Sequence, residues 1–207
     1  MAATVAKSKD IVTLKGSAEM VVEYFNYAIN SILYQRGIYA PETFKRETNY
    51  GLPMQMTDQA DLKDYISTIL RQIQAWLISK TIQKIVLVIT SIDTHEDLER
   101  WQFDIECDKA ASTDVSYFKD KPLKDIQKEI REIIRQIVAT VTFLPMISDR
   151  CSFDVLVYTD KDEEIPLDWE ESDPHFIALS QEVRLKSLST GVHKVDTVVA
   201  YKTDTDS

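Results

Sequence analysis

Apolar residues Val21, Phe25, Ala28, Ile29 and Ile32 recur three or four apart between Ser17 and Gln35, the spacing of one helix face. Ser17 is a suitable N-cap with Glu19 in the first turn, while Arg36 suits the negative helix end and Gly37 the left-handed position beyond it. A second helix is expected from about Thr57 or Asp58, with Leu62, Ile66, Ile69, Ile73, Trp76 and Leu77 on one face. Between these two helices, residues 43–56 read as an irregular hairpin turning at Gly51 and Pro53. A third helix begins at Pro122, whose missing N–H costs little in a first turn. It carries Leu123, Ile126, Ile130, Ile133, Ile137 and Val141 on one stripe before Pro145 ends it. Its other face holds Lys124, Lys128, Glu129, Glu132, Arg135 and Gln136, the pattern of a solvated surface.

Strand patterns surround these helices. IVTL at 11–14 is a short candidate, and IQKIVLVITSI at 82–92 is a nearly unbroken apolar run, as expected of a central strand covered on both faces. After DTHED, the segment LERWQFDIEC alternates Trp101, Phe103, Ile105 and Cys107 with Gln102, Asp104 and Glu106, which makes it a half-buried antiparallel partner. CSFDVLVYT at 151–159 is a third sheet strand. Helices and strands do not alternate regularly, so the expected class is α+β: helices packed on one face of a mainly antiparallel sheet.

The last quarter differs in character. Residues 160–207 hold 12 acidic and 5 basic side chains. DKDEEIPLDWEESDPHF has two prolines and no secondary-structure period, a longer loop than compact domains usually tolerate without a functional reason. EVRLKSLS and VHKVDTVVAY, joined at Thr190-Gly191, read as a terminal hairpin on an acidic tether. Such a hairpin is weakly placed by connectivity and has more than one docking position within reach; IVTL is a second β element that competes for sheet edges. The plainer alternative is one static sheet that the hairpin simply completes.

Composition mainly excludes. The 207 residues are 44% hydrophobic and 28% charged, the balance of a folded single domain. With 24 Lys and Arg against 34 Asp and Glu, the formal charge of −10 repels a phosphate backbone. The four glycines lie too far apart for a phosphate-cradling loop. Cys107 and Cys151 read as two buried thiols, and none of His95, His175 and His193 has a second ligand at metal spacing, so no metal or cofactor is expected. No nucleophile motif occurs; Asp104 and Asp154 are the kind of strand carboxylate pair every acidic protein offers. The chain is therefore expected not to be an enzyme. No signal-peptide pattern or stretch of membrane-spanning length is present, which points to a cytosolic or nuclear protein.

Five segments carry a resemblance: GSAEMVVEYFNYAINSILYQRGIY (16–39), ERWQFDIECDK (99–109), IRQIVATVTFLP (134–145), CSFDVLVYTD (151–160) and EVRLKSLSTGVHKVDTVVAY (182–201). In this order and spacing they resemble the HORMA-domain proteins of the spindle checkpoint. The resemblance implies a single HORMA domain over 11–201, with a core at 11–159 and a C-terminal seat belt at 160–201. Nothing is carried over to residues 1–10, the 110–121 loop or residues 202–207; the two ends are expected to be flexible. It further implies two folds of one sequence. In the open fold the terminal hairpin covers the sheet edge that a ligand would use; in the closed fold it crosses to the other side, displaces the N-terminal strand and lets a partner peptide add as a strand beneath the strap.

Partners follow from the same resemblance: mitotic arrest deficient protein one, the activator of the anaphase-promoting complex, and other mitotic checkpoint complex subunits. A silencing HORMA partner acting with a AAA+ remodelling ATPase, and pairing of open with closed conformers, are also implied, whereas nucleic acid and membrane are not. Arg135, Gln136, Thr142 and Phe143 match the face used for conformer pairing and silencing, which revises the solvated-surface reading. Trp76, Phe153, Trp169, His193 and Val195 match packing positions of the moving segment and the captured peptide. The implied setting is nucleus, kinetochore and cytoplasm. A HORMA adaptor of another complex, resembling the accessory subunit of translesion polymerase zeta, is the alternative.

Overall fold

The computed structural model describes residues 11–112 and 119–203; the two ends expected to be flexible therefore lie largely outside the described residues, except that Lys202 is the last residue of a strand. A two-residue strand β1 (Ile11–Val12) leads into α1 (Leu14–Gln35), which starts one turn earlier than the sequence suggests. Thr13, not Ser17, is its cap: Thr13 Oγ1 accepts the Gly16 N–H at 3.1 Å. A Cβ on Gly16 would meet that oxygen at 3.3 Å, so the glycine suits the close approach. Ser17 is wholly buried inside the helix.

The helix is the centre of the molecule. Tyr24, Phe25, Ala28, Ile32 and Leu33 are all fully buried, because α1 meets the other helices, a hairpin and the sheet on different sides. That hairpin, β2 (Phe44–Asn49) and β3 (Leu52–Thr57), is regular rather than irregular. Tyr50 and Gly51 form its two-residue turn with φ of 52° and 70°, the positive values that such a turn demands, and Pro53 lies within β3 opposite Thr48.

Helix α2 (Ala60–Ser79) buries Leu62, Ile66, Ile69, Ile73, Trp76 and Leu77 as the spacing predicts. Strands β4 (Ile82–Ser91) and β5 (Asp97–Cys107) follow, then β6 (Lys119–Asp120), which pairs antiparallel with β1. Helix α3 (Leu123–Ala139) buries Ile126, Ile130, Ile133, Ile134 and Ile137. Leu123 and Val141, at the ends of the predicted stripe, are 42% and 48% exposed: one precedes the packed turns and the other sits in the 3-10 turn that ends the helix.

Strand β7 (Cys151–Thr159) completes the core, and after a long crossing come β8 (Ser180–Arg184), β9 (Leu188–Ser189) and β10 (His193–Lys202). The main sheet is antiparallel in the order β7-β4-β5-β10-β8, with β9 also on β10. Ile85, Leu87 and Ile89 alternate onto the helix-facing side, in register with Phe103 and Trp101 on β5 and with Thr197 and Val199 on β10. Val86 and Val88 are equally buried on the opposite side, in register with Gln102 and Arg100. This is why β4 reads as an unbroken apolar run. Asp104 and Asp154 do not converge: Asp104 faces Lys84 across the sheet and Asp154 faces Val88.

Candidate functional site

Strand β7 is paired only with β4, so the N–H and C=O groups along its outer edge have no strand partner among the described residues. Beside that edge lies a cleft of about 290 Å³. Val155, Leu156, Val157, Tyr158 and Thr159 form one wall, Trp76 contributes from α2, and Ile165, Trp169 and residues 170–173 close the other side. The second wall belongs to residues 160–179, the crossing between β7 and β8. Trp169 holds this strap to the body by packing edge-to-face on Trp76, with ring centroids 5.0 Å apart. The Trp76 indole N–H is buried and makes no hydrogen bond among the described residues. Apolar walls with one free strand edge, rimmed by Glu170, Glu171 and Asp173, suit an extended chain far better than a small polar molecule.

The strap then crosses the outer face of the sheet. His175 Nδ1 lies 2.9 Å from Asp97 Oδ2, and Arg100 donates from Nε to the Pro174 carbonyl at 3.2 Å. Beyond this point the terminal hairpin docks at the sheet's far side, with β10 fully paired to β5 from His193 to Tyr201.

Polar contacts fix that docking. His193 Nε2 is 3.3 Å from the Leu77 carbonyl, which only accepts, so Nε2 carries the proton and Nδ1 is the acceptor. Ser17 Oγ, 2.6 Å from Nδ1, is then the donor, and Thr190 Oγ1 donates to Ser17 at 2.5 Å. Burial lowers the His193 pKa below its ordinary value. On the helix side, Gln136 Oε1 accepts the Lys186 N–H at 2.7 Å, Glu132 pairs with the Lys186 ammonium at 2.8 Å, and Glu129 Oε2 accepts the Ser189 N–H at 2.8 Å.

A different surface lies at the end of α3. Arg135 is exposed and makes no hydrogen bond or ion pair among the described residues; around the same helix end Val138, Phe143 and Met146 are 41%, 45% and 87% exposed. Thr142 is exposed with its hydroxyl on the Ala139 carbonyl.

Residues 17–193 match the HORMA domain. The chain belongs to the HORMA-domain family. Within that family it stands with the spindle-checkpoint proteins. Human mitotic spindle assembly checkpoint protein MAD2A is 55% identical over 191 residues, covering 92% of this chain and 93% of its own. The MAD2A of Dictyostelium discoideum is 52% identical over the whole of both chains. A chain in a crystal structure of the mitotic checkpoint complex superposes with a TM-score of 0.82 at 47% identity, covering 91% of this chain and 99% of that one.

The residues expected from the HORMA resemblance do not form one site. Trp76 and Trp169 meet at the cleft. Phe153 is on β7, the strand that walls that cleft, but packs against Tyr39 and Tyr65, at 6.2 and 5.7 Å. His193 and Val195 lie on β10, on the other side of β4 and β5, where they secure the hairpin. Gln136 contacts that hairpin as well, while Arg135 and Phe143 are exposed on the surface. Sequence reasoning missed Arg100 and His175 as strap contacts. It also missed the buried pair of Arg36 with Glu99, 2.5 Å apart, because Arg36 looks like a charge suited to a helix end.

Proposed function

We propose that this chain is a non-catalytic spindle-checkpoint adaptor that captures a partner segment as an added β-strand on β7 and retains it beneath the strap. The observation that carries the reading is the cleft between the unpaired β7 edge and residues 160–179. Main-chain hydrogen bonds to the edge supply affinity, and side chains alternating toward Trp76 and toward the strap supply selectivity. Because both ends of the strap are tied into the sheet, a captured segment leaves by threading or by release of the strap.

The placement of β10 on β5 supports assigning this arrangement to the closed fold. In the open fold the hairpin occupies the β7 edge and competes with the ligand, and the N-terminal strand β1, here paired with β6, takes the hairpin's place at the sheet. Conversion unzips β10 from His193 to Tyr201, which makes it slow. The segments captured come from mitotic arrest deficient protein one and from the activator of the anaphase-promoting complex, and capture of the second delays chromosome segregation. Arg135, Gln136, Thr142 and Phe143 serve conformer pairing and docking of the silencing HORMA partner that works with a AAA+ ATPase. The adaptor acts at the kinetochore, in the nucleus and in the cytoplasm.

Co-purification of the full chain with each recombinant partner tests this. Both partners are expected to be retained, and Trp169→Ala to release them without unfolding the chain. Retention of a translesion polymerase catalytic subunit, with neither checkpoint partner bound, would move the chain to the other HORMA branch.

A further inference from the structure

We infer that Arg100 and His175 form a two-point latch that holds the strap across the outer face of the sheet. The inference rests on the strap's role in retaining a captured segment, but the contacts of the latch are all made within the chain itself.

The first point is Arg100. It is 5% exposed, at the middle of the outer face in register with Val88 and Ala200. Its Nε donates to the Pro174 carbonyl, Nη1 bonds Gln102 Oε1 at 2.5 Å, and the guanidinium lies 4.9 Å from the centre of the Phe176 ring. Nη2 is buried without a partner among the described residues. A buried guanidinium is costly unless its donors are met, and here the strap supplies the carbonyl and the π-face. The incomplete pairing also keeps the latch reversible, since lifting the strap returns water to Nη2.

The second point is His175, on the strap residue between Pro174 and Phe176. Its backbone has φ of 51°, an uncommon value for a residue with a side chain, and its ring bridges Asp97 Oδ2 at 2.9 Å and Ser172 Oγ at 3.2 Å. The bridging ring holds the turn that aims Pro174 and Phe176 at Arg100. Asp97 is itself oriented by the Thr90 hydroxyl at 2.7 Å. The other charges nearby are Asp173 on the strap, Arg100 on β5, and Glu96, which is paired with Lys202 of β10 at 2.8 Å.

The Arg100 Nε–H provides the readout in the full-length, nitrogen-15-labelled chain. Its proton exchange is measured against free arginine, with the Trp101 indole N–H, buried on Glu99, as a control for global opening. The Nε–H of Arg100 is expected to exchange at least about tenfold more slowly than in free arginine. His175→Ala, which removes the ring that bridges Asp97 and Ser172, should lower this protection about three- to tenfold without changing that of Trp101. Phe176→Ala, at a residue 74% exposed, should also lower it and remove the ring-current shift of the Nε–H. The latch is overturned if the Nε–H exchanges as fast as in free arginine, if His175→Ala keeps the wild-type protection, or if Phe176→Ala changes neither shift nor protection. A working latch in a chain that retains neither checkpoint partner would instead overturn the capture reading.

Discussion

Ser17 and His193 are 176 positions apart in the chain and 2.6 Å apart in the fold. The contact joins the first turn of the first helix to the first residue of the last strand, and it needs a neutral imidazole, because Nδ1 receives the serine proton while Nε2 serves Leu77. The hairpin is thereby registered against α1 and α2 as well as against β5.

A pH dependence follows from this contact. Burial lowers the His193 pKa, so the unfolded or undocked chain binds the proton more readily than the docked one. The contribution of the His193 contact to stability should therefore be fully present above about pH 6.5, the ordinary histidine value, and decline as pH falls below it. Urea midpoints across this range check the sign. His193→Gln should be less stable at neutral pH by about 1 to 3 kcal/mol and should decline less steeply toward acid.

The Arg36–Glu99 pair is a second fixed point. Both side chains are 3% exposed; Arg36 also donates to the Pro145 carbonyl, and Glu99 accepts the Trp101 indole N–H at 3.1 Å. Arg36→Ala leaves a buried carboxylate unpaired and is expected to cost about 3 to 5 kcal/mol in urea unfolding. Replacing both residues with apolar ones should cost much less than the single change.

The two polar residues at the end of α3 should separate in their effects. Arg135→Ala is expected to weaken self-association by about 1 to 4 kcal/mol while leaving partner capture intact, since Arg135 is exposed, does not line the cleft and makes no hydrogen bond or ion pair to the hairpin among the described residues. Gln136→Ala removes the acceptor for the Lys186 N–H and should loosen the hairpin too. Sedimentation equilibrium alongside partner retention distinguishes them; normal self-association of the Arg135 variant would return that face to a merely solvated surface.

Charge should govern the encounter with ligand. Glu170, Glu171 and Asp173 rim the cleft, so a segment carrying Lys or Arg beside its apolar residues should associate faster at low salt. The advantage should fade as the Debye length shortens to about 8 Å at physiological ionic strength. Stopped-flow rates for basic and neutral segments that coincide at all salt concentrations would leave apolar contacts and strand pairing to account for selection.

Periodicity made the three helices and the core strands legible, down to the ends of β7 at Cys151 and Thr159. It erred where side chains serve tertiary contacts instead of local ones. Ser17 has the chemistry of a helix cap but spends its hydroxyl on His193, leaving Thr13 to cap. Leu123 and Val141 fit a helical stripe whose ends run past the body that α3 packs on. The placement of the hairpin was not legible at all, because both edges of the sheet can accept a strand and a long tether reaches either. Arg100 and His175 are polar residues without a motif, and their meeting depends on a strap with no period of its own.

The addition of a partner strand to β7 beneath the strap is most directly tested by amide hydrogen exchange of the chain, alone and saturated with recombinant mitotic arrest deficient protein one. New protection is expected at alternate amides of Val155–Thr159, together with slower exchange around Trp169. Protection confined to the β8 edge or to the end of α3, with β7 exchanging as in the free chain, would contradict it.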